Sequence, residues 1–85
     1  MNIELINTAT DLANEKMEEI FADKKSKGYG YVQQNNYQSE SNPNGFSGFT
    51  RLVEISSQSN SKRIRVRVTH AALQDIVLEA YITNY

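Results

Sequence analysis

The sequence holds no cysteine, which excludes disulfides and thiolate metal sites as sources of stability. Compartment stays open, because many periplasmic domains also manage without disulfides. Histidine is nearly absent too, with His70 alone. A Ser-His-Asp site would have to use that residue, and no nucleophile-elbow sequence accompanies it. Gly28-Tyr29-Gly30 lacks the further glycines and the preceding strand of a phosphate loop. No enzymatic activity, catalytic residue or cofactor is therefore expected. No run approaches the roughly 18 apolar residues of a membrane span, and no basic-then-apolar signal peptide opens the chain. Charge of one sign is lacking as well. Nine basic residues stand against ten acidic ones, for a net charge of −1, which argues against general affinity for nucleic acid or anionic lipid.

What is present is enough for one small domain, residues 1–85. A chain of this length buries about 60–65% of the surface its unfolded form exposes, so its stability is modest. Its 39% hydrophobic residues and mean hydropathy of −0.59 suit a soluble domain with a small core.

The first segment separates into two sides at 100° per residue. Leu5, Ile6, Ala9, Leu12, Ala13, Met17, Ile20 and Phe21 fall on one side; Glu4, Asp11, Glu15 and Glu18 fall on the other. This is a helix over about residues 2–26 with one apolar face. Lys24, Lys25 and Lys27 complement the dipole at its end, and Gly28 stops it. Thr8 with Asp11 offers a capping-box-like start, while the apolar side running up through Leu5 and Ile6 places the start near Asn2. Met17 and Phe21 read as core, and Lys16 as a cation that snorkels past the sheet edge.

Residues 28–48 form a long excursion that carries all four glycines and the single proline. Tyr29, Tyr31, Val32 and Tyr37 are expected to pin it down, and Tyr29 to Gln34 reads as a short edge strand. Asn42-Pro43-Asn44-Gly45 is a turn. Strands follow at about 49–57, 62–70 and 76–83. In the first, Phe49, Val53 and Ile55 share a side that Arg51 interrupts, which points to a bulge or a sheet edge. In the second, Ile64, Val66 and Val68 oppose Arg63, Arg65, Arg67 and Thr69. In the third, Ile76, Leu78, Ala80 and Ile82 face inward. The fold class expected is α+β: a long N-terminal helix packed on an antiparallel sheet of three or four strands.

Two charged rows are candidate contact surfaces. Arg63, Arg65 and Arg67 sit about 7 Å apart on one sheet face. They read as a solvated face balanced by Glu54 and Glu79, as a contact for an acidic neighbour, or as a nucleic-acid surface with Tyr81 for stacking. The last reading makes the chain a small adaptor or nucleic-acid-binding module; it predicts salt-sensitive binding that Arg65→Glu abolishes. Along the helix, Asp11, Glu15 and Glu18 with Glu4 form either a solvated face or a subunit contact. A calcium site would need more converging oxygens, so no metal is expected. Leu5, Ile6 and the 28–48 loop complete the candidate contacts.

The wording of these elements resembles a known family. Leu12-Ala13-Asn14-Glu15-Lys16-Met17-Glu18-Glu19-Ile20 is similar to the helix segment of type IV pilin-like minor pilins and minor pseudopilins. Phe49-Thr50-Arg51 resembles their aromatic-x-Arg strand opening. Lys62 to Thr69 matches their alternating strand, and Leu78 to Ile82 their closing strand. The resemblance covers roughly residues 9–83 and is nearest to the I-type minor pseudopilins of type II secretion and the V-type minor pilins. It implies a pilin-like fold and a non-enzymatic structural role in a pilus or pseudopilus, at its tip or in its assembly. It implies other pilin or pseudopilin subunits as partners, with no small-molecule substrate and no nucleic acid. In the family a leader is removed by prepilin peptidase, the new N-terminus is methylated, and an apolar half-helix anchors the subunit in the inner membrane. The leader, the acidic residue near the mature N-terminus and the apolar half-helix are missing between Met1 and Tyr85. The resemblance therefore implies that the membrane-spanning half has been removed ahead of Met1. It also implies a domain on the periplasmic or cell-surface face of that membrane.

Overall fold

A computed structural model describes residues 2–84; the terminal residues of the expected 1–85 domain, Met1 and Tyr85, lie outside the described residues. One helix, α1, runs from Ile3 to Lys27, about 37 Å at 1.5 Å per residue. It starts at Asn2, not at Thr8. The Asn2 side-chain oxygen accepts the Leu5 N–H at 3.2 Å, satisfying a donor that has no partner inside the helix. Thr8 and Asp11 stand mid-helix, and the Thr10 hydroxyl donates back to the Ile6 carbonyl at 2.9 Å. Gly28 ends the helix at φ 95°, a value open to glycine, and its N–H reaches the Lys24 carbonyl.

The sheet holds four antiparallel strands in sequence order: β1 (Glu40–Ser41), β2 (Thr50–Ser57), β3 (Ser61–Thr69) and β4 (Ile76–Thr83). The β2–β3 register runs unbroken from Thr50↔Thr69 to Ser57↔Lys62, and β3–β4 from Ser61↔Thr83 to Val68↔Ile76. There is thus no bulge at Arg51. Its side chain points into the core, among the inward residues, and β1 closes the sheet beside it through Glu40↔Arg51.

The expected edge strand at Tyr29–Gln34 does not form. Tyr29–Tyr31 and Gln34–Asn36 are 3-10 turns instead. The reason lies in Lys62, whose Nζ donates to the carbonyls of both Tyr29, at 3.0 Å, and Val32, at 2.6 Å. Carbonyls three residues apart point in opposite directions along a strand, so one ammonium gathers both only if the chain turns between them. The two-residue β1 takes the edge position.

The core lies between α1 and the inner sheet face. Ala9, Leu12, Ala13, Met17 and Ile20 from the helix meet Val53, Ile64, Val66, Val68 and Ile82, while Val32, Tyr37 and Phe49 close the sides. Ile20, Ile64 and Val66 are fully buried, each worth about 1.5–3 kcal/mol relative to exposure. Phe21 is not part of this core; it is 44% exposed on the flank of α1. Ile76, Leu78 and Ala80 do face inward, but are only half-buried.

Candidate functional site

Two charged clusters tie the parts together: one joins the helix to the sheet, the other joins the loop after the helix to β3. In the first, the Arg51 side chain is 3% exposed. Its guanidinium donates to Glu40 at 2.9 and 2.8 Å, to Glu15 at 2.9 Å and to the Leu12 carbonyl at 3.0 Å. Lys16 adds an ion pair to Glu40 at 3.3 Å and one to Glu19 at 2.9 Å. Lys16 therefore does not snorkel past the edge to water; it closes a network around β1. Asn44, from the turn at Pro43–Gly45, donates to both oxygens of Glu15 at 2.8 and 2.9 Å. Asn42 and Asn44 hold positive φ there, a conformation asparagine tolerates.

These contacts set the acid response. Hydrogen bonds from Asn44 and then Arg51 hold the Glu15 carboxyl below its ordinary value. The Arg51 hydrogen bond, ahead of the charge of Lys16, does the same for Glu40 against the cost of burial. A carboxylate with a depressed folded-state pKa contributes stability that is fully present above its unfolded value. That contribution is lost as pH falls through the folded value. Stability is therefore expected to decline from about pH 4.5 downward. Urea titrations between about pH 3 and 7 read the decline, and Glu40→Gln should flatten it.

The second cluster is Lys62, 8% exposed in a mostly apolar setting. Besides its two carbonyls, its Nζ lies 4.3 Å from the Tyr29 ring centroid. Tyr37 completes the pinning of the loop. Its hydroxyl donates to Asp23 at 2.8 Å, and burial, then that hydrogen bond, pushes its pKa upward.

The expected contact residues fall in three places. Leu5 and Ile6 are half-buried in the first turns of α1, next to the exposed Ile3. Asp11 and Glu18 are exposed on the helix. Glu15 shares their side but is bound internally by Arg51 and Asn44. Asp11 and Glu15 line an open groove of about 230 Å³ together with Thr8, Leu12, Asn44 and Phe46. The arginine row stands on the outer sheet face as expected. Arg65 pairs with Glu79 at 2.7 Å, and Arg67 with Asp75 at 3.1 Å and Glu54 at 3.5 Å. Arg63 is opposite Ser56 and Tyr81 in the register. Two of the three cations thus have carboxylate partners, which favours the balanced face over a nucleic-acid surface.

His70, just past the end of β3, has a local role. Its Nδ1 accepts the Ala72 N–H at 3.0 Å, and its ring tilts against Phe49 at 4.6 Å. Among the described residues no group of three His, Cys, Asp or Glu side chains is placed to hold a metal ion.

The residues whose partners sequence reasoning missed are Arg51 and Lys62. A signal existed: each is a cation in phase with the apolar residues of its strand. A cation held inward must find oxygens, and the sequence did not say which.

Among the described residues, no helix is long and apolar enough to cross a membrane. Comparison with protein-family models, with curated proteins and with solved structures finds no match for this chain.

Proposed function

We propose that this chain is the globular part of a type IV pilin-like minor subunit, acting mechanically in a pilus or a type II secretion pseudopilus. The observation that carries the reading is how the motifs of the resemblance meet in space. Arg51 closes the Phe49-Thr50-Arg51 segment. It binds Glu15 and the Leu12 carbonyl, both within Leu12–Ile20. Two of the segments on which the resemblance rests are therefore each other's partners across the helix–sheet junction.

The shape supports the same reading. The molecule measures 41 × 20 × 17 Å, and α1 spans nearly its full length. Burial on α1 begins at Ala9 and fades toward the N-terminus, where Ile3 is 69% exposed. Asn2 caps α1 there in an extended conformation, and the apolar turn behind it, with Ile3, Leu5 and Ile6, is suited to pack among neighbours. Arg51 and its carboxylates would then transmit load from that helix to the sheet. Exposed Asp11 and Glu18 and the outer arginine row are the side-by-side contacts of this proposal.

The test is fractionation of the cells that make the protein. The proposal expects the chain in the membrane fraction, released only by detergent, and in sheared surface filaments if the filament is extracellular. It also expects cross-links to other pilin-like subunits. A chain recovered wholly free of membranes and filaments, without such cross-links, overturns it.

A further inference from the structure

The two edges of the sheet are treated differently. The β2 edge is covered: β1 pairs with Thr50 and Arg51. Further along, the Gln34 side chain takes the place of a strand, donating to the Val53 carbonyl at 2.7 Å and accepting the Ile55 N–H at 2.9 Å. The β4 edge has no strand beside it among the described residues. It is eight residues long, Ile76–Thr83, about 27 Å. It carries no proline, no lysine and no bulge, the usual devices that block edge pairing.

The surroundings of this edge are self-complementary. A groove of about 430 Å³ opens at its beginning, lined by Ile6, Leu73, Asp75 and Ile76. At its other end Phe21, Lys25 and Asn84 line a second opening. One end thus presents an apolar recess, its Asp75 already held by Arg67, and the other the exposed aromatic Phe21.

We infer that β4 is a self-association edge, on which a second copy of this chain docks its own β4 antiparallel to form a continuous eight-stranded sheet. Pairing requires residues on the same face to meet, so only alternate registers are allowed. The register centred on Glu79 sets two like charges opposite each other and is disfavoured. The register centred on Ala80 sets Ala80 against its counterpart and Glu79 against the second copy's Tyr81. It also sets Leu78 against Ile82 and Ile76 against Asn84. Since Asn84 borders the same opening as Phe21, this brings Phe21 of each copy to the Ile6–Leu73–Ile76 recess of the other.

The helices fit this arrangement. A two-fold axis normal to the sheet keeps both on one face. Because α1 lies over β3 and β4, its axis falls about one strand spacing, ~5 Å, from the two-fold. The paired helices then stand about 10 Å apart, at the upper end of the packing range. A single strand pair with its flanking side chains is at the small end of specific interfaces, where association is weak and concentration-dependent. The inference does not depend on the pilin reading.

Sedimentation from about 5 to 500 µM tests it, since a weak dimer passes from free to paired over a range of this order. The expected result is a monomer passing to a dimer, and Phe21→Lys should weaken dimerisation at least about tenfold, with helix content unchanged. Ala80→Cys places two thiols across one antiparallel pair, within disulfide reach. Mild oxidation should link it rapidly, and a Ser59→Cys control in the β2–β3 hairpin slowly. A monomer at every concentration overturns the inference. So does a dimer that Phe21→Lys leaves intact, or one in which Ala80→Cys links no faster than the control.

Discussion

Arg51→Ala is expected to remove about 3–5 kcal/mol of folding stability, the range for breaking a buried ion cluster by deleting one partner. The loss has three parts. Glu40 keeps its position in β1 but loses its bidentate partner. The Leu12 carbonyl, whose bond to Arg51 is buried, is left without that donor. A cavity replaces the guanidinium between α1 and β2. Small domains hold about 0.05–0.15 kcal/mol per residue, so this single change consumes a large share of the total. Arg51→Lys keeps the charge but replaces a planar fork by one ammonium, and should cost less than alanine while still losing the paired bonds to Glu40. Urea unfolding followed by circular dichroism reads both variants. A loss below about 1 kcal/mol for alanine would place Arg51 among ordinary surface ion pairs and contradict its role as the helix–sheet joint.

Lys62→Met is expected to cost about 2–3 kcal/mol, from two hydrogen bonds made by a charged donor. Methionine keeps much of the side-chain volume, so the loss reports the ammonium and not a cavity. The carbonyls of Tyr29 and Val32 would lose their shared donor, and Tyr29 the cation over its ring. The consequence is local as well as global. Amide hydrogen exchange should quicken through residues 28–37, where the turns depend on Lys62, before it quickens in β3 and β4. Uniform exchange across the whole chain would show that the loop holds its shape without the lysine.

The regular elements were legible because their side chains repeat with the right period. Helix α1 from Ile3 and strand β3 with its Ile64-Val66-Val68 row follow directly from spacing. The apolar side of β4 was equally readable, although its half-buried Ile76, Leu78 and Ala80 reflect an open edge that periodicity does not register. What escaped was set by distant partners. Tyr29–Gln34 alternates well enough for a strand, yet Lys62, some thirty residues on, folds it into turns. The interruption at Arg51 looked like a defect of the strand. It is an inward cation answered by Glu15 on α1 and Glu40 on β1, residues that sequence spacing does not connect. Phe21 fell within the apolar arc of the helix, but it lies on the flank of α1 beside the fully buried Ile20 and is 44% exposed. For the contact surfaces, the sequence located the charged rows and could not tell which members are bound internally. All three of Asp11, Glu15 and Glu18 are exposed, but Glu15 alone is held by Arg51 and Asn44.

The most direct measurement is intact-mass and N-terminal sequencing by mass spectrometry of the protein purified from the cells that make it. If the chain is a pilin-like subunit as proposed, the mature protein begins with an N-methylated residue and carries about 20 apolar residues ahead of Met1. A mature protein that starts at Met1, unmethylated, would contradict that proposal.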